Sequence, residues 1–140
     1  MGNRAVITTS PFKRGNIGIY VHWNGGRESV EGFLKAARDL DYRTPGSDPD
    51  YALAGLAGLI WSFLGTDGSS VGLGTCDQLD CDNGTWLIGD DWSIAGHMPR
   101  VGDLGGTAHP VGQEYDTTKR DAIAATIVAK VKAAKAEVAA

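Results

Sequence analysis

Lysine and arginine are missing altogether between Arg43 and Arg100, a stretch that carries eight aspartates: Asp48, Asp50, Asp67, Asp77, Asp80, Asp82, Asp90 and Asp91. The whole chain is acidic, with 13 Lys+Arg against 17 Asp+Glu and a net charge of −4. A protein that grips duplex nucleic acid carries a basic footprint, so this balance excludes that partner. Cysteine is scarce: only Cys76 and Cys81, four residues apart between them. A structural zinc site asks for a second close pair of ligands, whereas His22, His97 and His109 are scattered singly. No metal is expected, and the two thiols are expected to stay free in a reducing compartment. Long apolar runs are also lacking, since none approaches the ~20 residues that cross a bilayer. The opening Met1-Gly2-Asn3-Arg4 leads straight into a strand-like run with no apolar signal region, so a protein without membrane contact is expected.

What is present is ordinary globular composition, 42% hydrophobic and 21% charged over 140 residues. That length suits a single domain, 1–140, with one real core. Glycine is abundant, at 20 residues, but is spread over several loops rather than set in a repeat.

Periodicity gives the elements. Residues 4–9 form a short β-rich run, and 10–16 carry turn residues. Residues 17–23 alternate, with Ile17, Ile19, Val21 and Trp23 on one face, so the first two strands read as a hairpin. Asn24-Gly25-Gly26 breaks the strand. A helix over 28–40 follows, its stripe Val30, Phe33, Leu34 and Ala37. A second helix is expected over 51–64 with Asp50 as its cap; Gly55 and Gly58 inside it imply close packing. Residues 70–74 read as a strand. Asp82-Asn83-Gly84 is the strongest hairpin signal, with arms 78–82 and 85–88, and another strand is expected over 92–97. Residues 99–113 read as a long loop. Thr118 and Asp121 look like the capping box of a terminal helix reaching about residue 138. The class is α+β: an antiparallel sheet, made of the N-terminal hairpin and a central meander, packed against two central helices and a C-terminal helix.

Four constellations bear on chemistry. The turn Asn24-Gly25-Gly26-Arg27 sits where a strand passes into a helix. Amides at a helix start attract anions, glycines allow close approach, and the guanidinium fork suits phosphate. The plain alternative is a tight turn. Asp77, Asp80, Asp82 and Asn83 resemble a calcium loop but lack its glycine and terminal glutamate, and a hairpin tip explains them. Asp82 or Asn83 remains able to meet a ribose hydroxyl or a base edge. Serines are present, but no G-x-S-x-G elbow accompanies them. The aromatics are core residues by default, with one or two able to stack a base.

The run from Gly15 to Lys35, GNIGIYVHWNGGRESVEGFLK, resembles the phage family of Thoeris anti-defence proteins of the first type. So do the opening residues Met1–Thr8, the run Ser70–Gly74 and the run Asp82–Trp86. The resemblance implies a sponge rather than an enzyme. Such a protein binds cyclic ADP-ribose variants, and in some members cyclic oligonucleotides, in the cytoplasm of the infected host, and withholds them from their effector. It implies a homo-oligomer with pockets shared between subunits, and no cofactor. Carried over by matching motif, the ligand-binding residues are Asn24, Gly25, Gly26 and Arg27, with Asn83 and Arg100 as counterparts by spacing. The apolar stripe Ile123, Ile127 and Val131 of the terminal helix is then a candidate subunit contact. The alternatives are an enzyme that hydrolyses a cyclic nucleotide, and a structural or DNA-mimicking protein, for which only the acidity of residues 44–99 speaks.

Overall fold

The computed structural model describes residues 3–65, 70–75, 81–98 and 114–139. Arg100, Cys76, His109 and the expected loop over 99–113 lie outside the described residues. Eight elements follow in order: β1 Ala5–Thr9, β2 Ile17–Val21, α1 Arg27–Asp39, α2 Pro49–Leu64, β3 Val71–Thr75, β4 Thr85–Ile88, β5 Ile94–Met98 and α3 Thr117–Ala139. The class is α+β, with five strands in one sheet of order β3-β2-β1-β4-β5.

The sheet is mixed, which corrects the antiparallel expectation. β1 and β2 form the expected antiparallel pair, but β1 runs parallel to β4, with Val6 opposite Thr85 and Thr9 opposite Ile88. The meander is split as well. β3 pairs with β2 at one border, while β4 and β5 pair at the other. β1 and β5 occupy both edges of β4, so the first arm of the hairpin expected around Asp82-Asn83-Gly84 is not the neighbour of 85–88, and residues 78–80 of that arm lie outside the described residues. Residues 81–84 make a β-turn: the Gly84 amide donates to the Cys81 carbonyl at 3.0 Å, and Gly84 takes φ 68°. The real hairpin turns between β4 and β5, where the Gly89 amide meets the Ser93 carbonyl at 2.7 Å. Its pivot, Trp92, has φ 68° and is held by burial of its ring and by an indole N–H donated to the Tyr42 carbonyl at 3.2 Å.

The helices cover one face. Ala5, Ile7, Ile19, Val21, Trp86 and Ile88 from the sheet meet Val30, Phe33, Leu34, Leu56, Ile60, Ile123 and Ile127 from the helices. Burial of side chains this size stabilises by roughly 1.5–3 kcal/mol each. The opposite face carries a smaller cluster of Val6 and Cys81 with Phe12 and Tyr20.

Helix starts differ from expectation for identifiable reasons. Asp48, not Asp50, caps α2: its carboxylate accepts from the Tyr51 amide at 3.2 Å, and Pro49 takes the first helical position, where its missing N–H costs nothing. Asp116, not Thr118, caps α3, accepting from the Lys119 amide at 3.0 Å. An aspartate is the stronger cap, and Thr118 lies within the first turn. Of the two glycines flagged in α2, Gly55 has the Tyr42 ring 3.1 Å from where a Cβ would stand, whereas Gly58 faces open space. The tightest helix contact is at Gly32 of α1, where an added Cβ would lie 2.9 Å from the Ile123 side chain and 3.0 Å from the Arg120 carbonyl.

Ile123 and Ile127 are buried within one chain, at 6% and 0% exposure, and Val131 packs partly on the same core. The stripe that the sequence offers as a subunit contact therefore closes the chain's own core. No helix among the described residues is long and apolar enough to cross a membrane.

Candidate functional site

β1 and β4 run parallel, so both begin at the end of the sheet where β2 finishes. Three segments meet there: residues 3–4 before β1, residues 22–26 after β2, and residues 81–84 before β4. Asn3 ties them. Its backbone carbonyl accepts from the Gly25 amide at 2.8 Å, and its side-chain oxygen accepts from the Asn83 side-chain amide. The backbone amide of Asn83 donates to the Arg4 carbonyl at 2.9 Å. His97 Nε2 meets the Asn83 carbonyl at 2.5 Å, and its ring stacks on Trp86 at 4.1 Å between centroids. Arg4 pairs with Asp82 at 2.9 Å on the exposed rim, which pushes the arginine's affinity for its proton up further.

The turn after β2 is built residue by residue for close approach. Asn24 takes φ 62°, a region asparagine tolerates better than most side chains, and its amide donates to Ser29 Oγ at 3.2 Å. Gly25 is buried, and a Cβ there would fall 2.6 Å from the Asn3 carbonyl oxygen and 2.8 Å from Ala5 Cβ. Only glycine lets the turn lie against β1 in this way. The Gly25 carbonyl accepts the buried Trp86 indole N–H at 2.9 Å. Both backbone polar groups of Gly25 are thus engaged within the protein.

Gly26 is the extended N-cap of α1 and offers no side chain to the helix amides. Glu28 curls back over it, its Oε1 3.2 Å from the position a Gly26 Cβ would take, and Lys119 of α3 stands 3.6 Å from that carboxylate. A negative charge is therefore already at the helix start, where the dipole favours one. Arg27 points along α1 instead: its guanidinium lies 4.4 Å above the Tyr115 ring and 3.5 Å from Glu31. Arg120 reaches the same tyrosine, donating to its hydroxyl oxygen at 3.0 Å, and it also pairs with Asp121 at 2.7 Å. The Arg120 bond, with the charge of Arg120 beside it, holds the Asp121 carboxyl below its ordinary range.

The structure thus brings Asn24, Gly25 and Asn83 to one end of the sheet, joined through Asn3. It places Arg27 one step away, in the seam between α1 and α3. Asn3 itself was not singled out by the sequence; the only signal was its position just ahead of a strand. Cys81 is buried, and His22 Nδ1 meets the Tyr20 hydroxyl at 2.8 Å. Among the described residues no three His, Cys, Asp or Glu side chains converge as metal ligands would.

These features define an α+β domain whose mixed sheet is covered by three helices on one face, with a polar junction at one sheet end. The chain matches no family model, no curated protein and no solved structure.

Proposed function

We propose that the protein binds a cyclic nucleotide immune signal, a cyclic ADP-ribose variant first of all, and withholds it without cleaving it. The ligand meets Asn24, Gly26, Arg27 and Asn83, on a turn that Gly25 allows to lie against β1, with Arg100 as the further cation that the resemblance assigns. One observation carries this reading. The two runs that resemble the sponge family, around Asn24–Arg27 and around Asp82–Trp86, are far apart in the chain yet share Asn3 as a bonding partner. With both side-chain amide hydrogens of Asn83 given to Asn3 and Arg4, its side-chain oxygen and the second amide hydrogen of Asn24 serve ribose and base edges, and Arg27 turns from Glu31 to offer a forked cation for phosphate. The protein acts in the cytoplasm of the infected host, with no cofactor, no duplex nucleic acid and no membrane partner. A phosphate-bearing ligand wants several cations, and residues 44–99 hold none. A homo-oligomer with pockets shared between subunits answers that shortage.

The deciding experiment incubates the protein with a cyclic ADP-ribose variant, denatures it by heat and analyses the released ligand by chromatography. Intact ligand is the expected result; fragments identify a hydrolase instead. Arg27→Ala is expected to weaken binding ten- to hundredfold by calorimetry, since one charge-assisted bond is worth about 1.5–3 kcal/mol. Unchanged affinity removes Arg27 from the site. Light scattering that returns a clean 14.7 kDa monomer with and without ligand refutes the shared pocket.

A further inference from the structure

We propose that the cleft at the α1–α2 connection is a binding site for a small aryl or heteroaryl monophosphate, its phosphate met by Arg43 and Lys135 and its flat ring by Tyr42 and Tyr51. The cleft has a volume of about 630 Å³ and is lined chiefly by Leu40, Asp41, Tyr42, Arg43, Tyr51 and Lys135. That volume lies within the range of small-molecule sites, roughly 300–1,000 Å³. This inference does not rest on the cyclic-nucleotide reading, which concerns the opposite end of α1.

The walls are fixed before any ligand arrives. Asp41 takes φ 56° where α1 ends. The Tyr42 amide donates to the Ala37 carbonyl at 2.9 Å, its own carbonyl accepts from Trp92, and its ring packs on Gly55. Lys135 enters from α3, so two helices and the α1–α2 connection contribute to one cleft.

Charge points to the ligand class. Arg43 is the last cation before the long cation-free stretch, and Lys135 comes from the far end of the chain. Folding brings both to one cavity. Among the described residues neither has a carboxylate within 4.0 Å, in a chain of net charge −4. Each instead rests on an aromatic face: Arg43 lies 4.2 Å above the Tyr51 ring and Lys135 5.9 Å from the Tyr42 ring centroid. An exposed cation–π contact is weaker than a charge-assisted bond to phosphate, so an incoming phosphate draws both cations off and frees the ring faces. A phosphomonoester carries about −1.5 to −2 charges at neutral pH, which matches two cations better than a carboxylate does. Asp41 repels the phosphate from its own wall and turns it towards Arg43 and Lys135. The Tyr42 hydroxyl is uncharged at neutral pH, and burial pushes its pKa up further, so it adds no second repelling charge.

The test uses phenyl phosphate, titrated by calorimetry and followed through the tyrosine ring signals by NMR. Saturable one-to-one binding is expected, with inorganic phosphate and phenol each at least about tenfold weaker. Arg43→Gln and Lys135→Gln should each weaken binding at least about fivefold, while Arg27→Ala leaves it unchanged. Absence of saturation up to about 10 mM overturns the site. Inorganic phosphate binding as tightly as phenyl phosphate overturns the ligand class, and full affinity in both glutamine variants overturns the location.

Discussion

Arg27 and Arg43 flank the same helix, and each lies over a tyrosine ring at nearly the same distance, 4.4 Å and 4.2 Å. Their surroundings differ. The Arg27 side chain is 18% exposed, pairs with Glu31, and shares its tyrosine with Arg120 in the seam where α1 meets α3. Arg43 is exposed, has no carboxylate within bonding distance among the described residues, and faces a cavity. The ring contact alone says little about role. What separates the two is whether the positive charge is already answered inside the protein. An answered cation must give up Glu31 and its tyrosine before it can turn to a ligand, whereas an unanswered one beside a cavity is available without that cost.

The strongest way to break this comparison is to open the seam. Gly32→Val places a branched side chain where Ile123 and the Arg120 carbonyl already stand within 3.0 Å of a single added carbon. Overpacking of this kind is expected to cost about 3 kcal/mol in urea denaturation. A loss below about 1 kcal/mol would mean that α3 yields freely and the seam is loose.

A sharper comparison removes one ring at a time. Tyr115→Ala loses two cation contacts and a hydrogen bond from Arg120, and should cost about 1–2 kcal/mol. Tyr51, 60% exposed, should cost less than about 0.5 kcal/mol when changed to alanine. Equal losses in thermal melts would erase the distinction between the two arginines.

Next in size is the cap that starts the helix following Tyr115. Asp116→Ala removes the acceptor for the Lys119 amide and should cost about 1 kcal/mol. The variant should lose helix-start protection in amide exchange at 119 and 120, with α2 unaffected.

The smallest effect concerns Arg38, the other arginine of α1, which donates to the Trp92 carbonyl at 2.8 Å beside Asp91. Bonds from Ser93 hold the Asp91 carboxyl below its ordinary range, with the Arg38 charge adding in the same direction. A depressed folded value means that the contribution is present above the unfolded value, about 3.9, and is lost as pH falls through the folded one. Ser93→Ala should therefore raise the Asp91 pKa in a carboxyl NMR titration. The stability gap between the variant and the parent should narrow below about pH 4. A gap that widens on acidification would contradict the assignment.

Much of this molecule is legible in its sequence, because apolar period survives folding. The stripe Val30, Phe33, Leu34 and Ala37 is buried as its spacing implies, and Ile17–Val21 is a strand with Ile19 and Val21 in the core, although Ile17 and Trp23, expected on the same face, are exposed. Strand partners are not legible, since a pattern of period two says which face is buried and nothing about neighbours. The Asn83-Gly84 signal marks a turn correctly, but whether it becomes a hairpin depends on who holds the edges of β4. Gly32 escapes notice for a similar reason: its value lies in a contact with α3, ninety residues on. At the candidate site, the turn Asn24–Arg27 can be read directly. Its link to Asn83 through Asn3 needs the parallel pairing of β1 with β4, which no local pattern carries. The Arg43 cleft is likewise invisible, because Arg43 and Tyr51 read as a loop residue and a helix start until Lys135 arrives beside them.

The parallel pairing also sets the order in which a growing chain can be satisfied. Translation delivers β1 first, but β4, which must lie alongside it, begins only at Thr85. Until that point has left the ribosome, one side of β1 presents bare amides and carbonyls to whatever is near. Early closure of β1 with β2 protects only the other side. The nascent protein therefore stays open to mispairing or to capture by a chaperone for most of its synthesis, and a ribosome that stalls before Thr85 strands a half-built sheet.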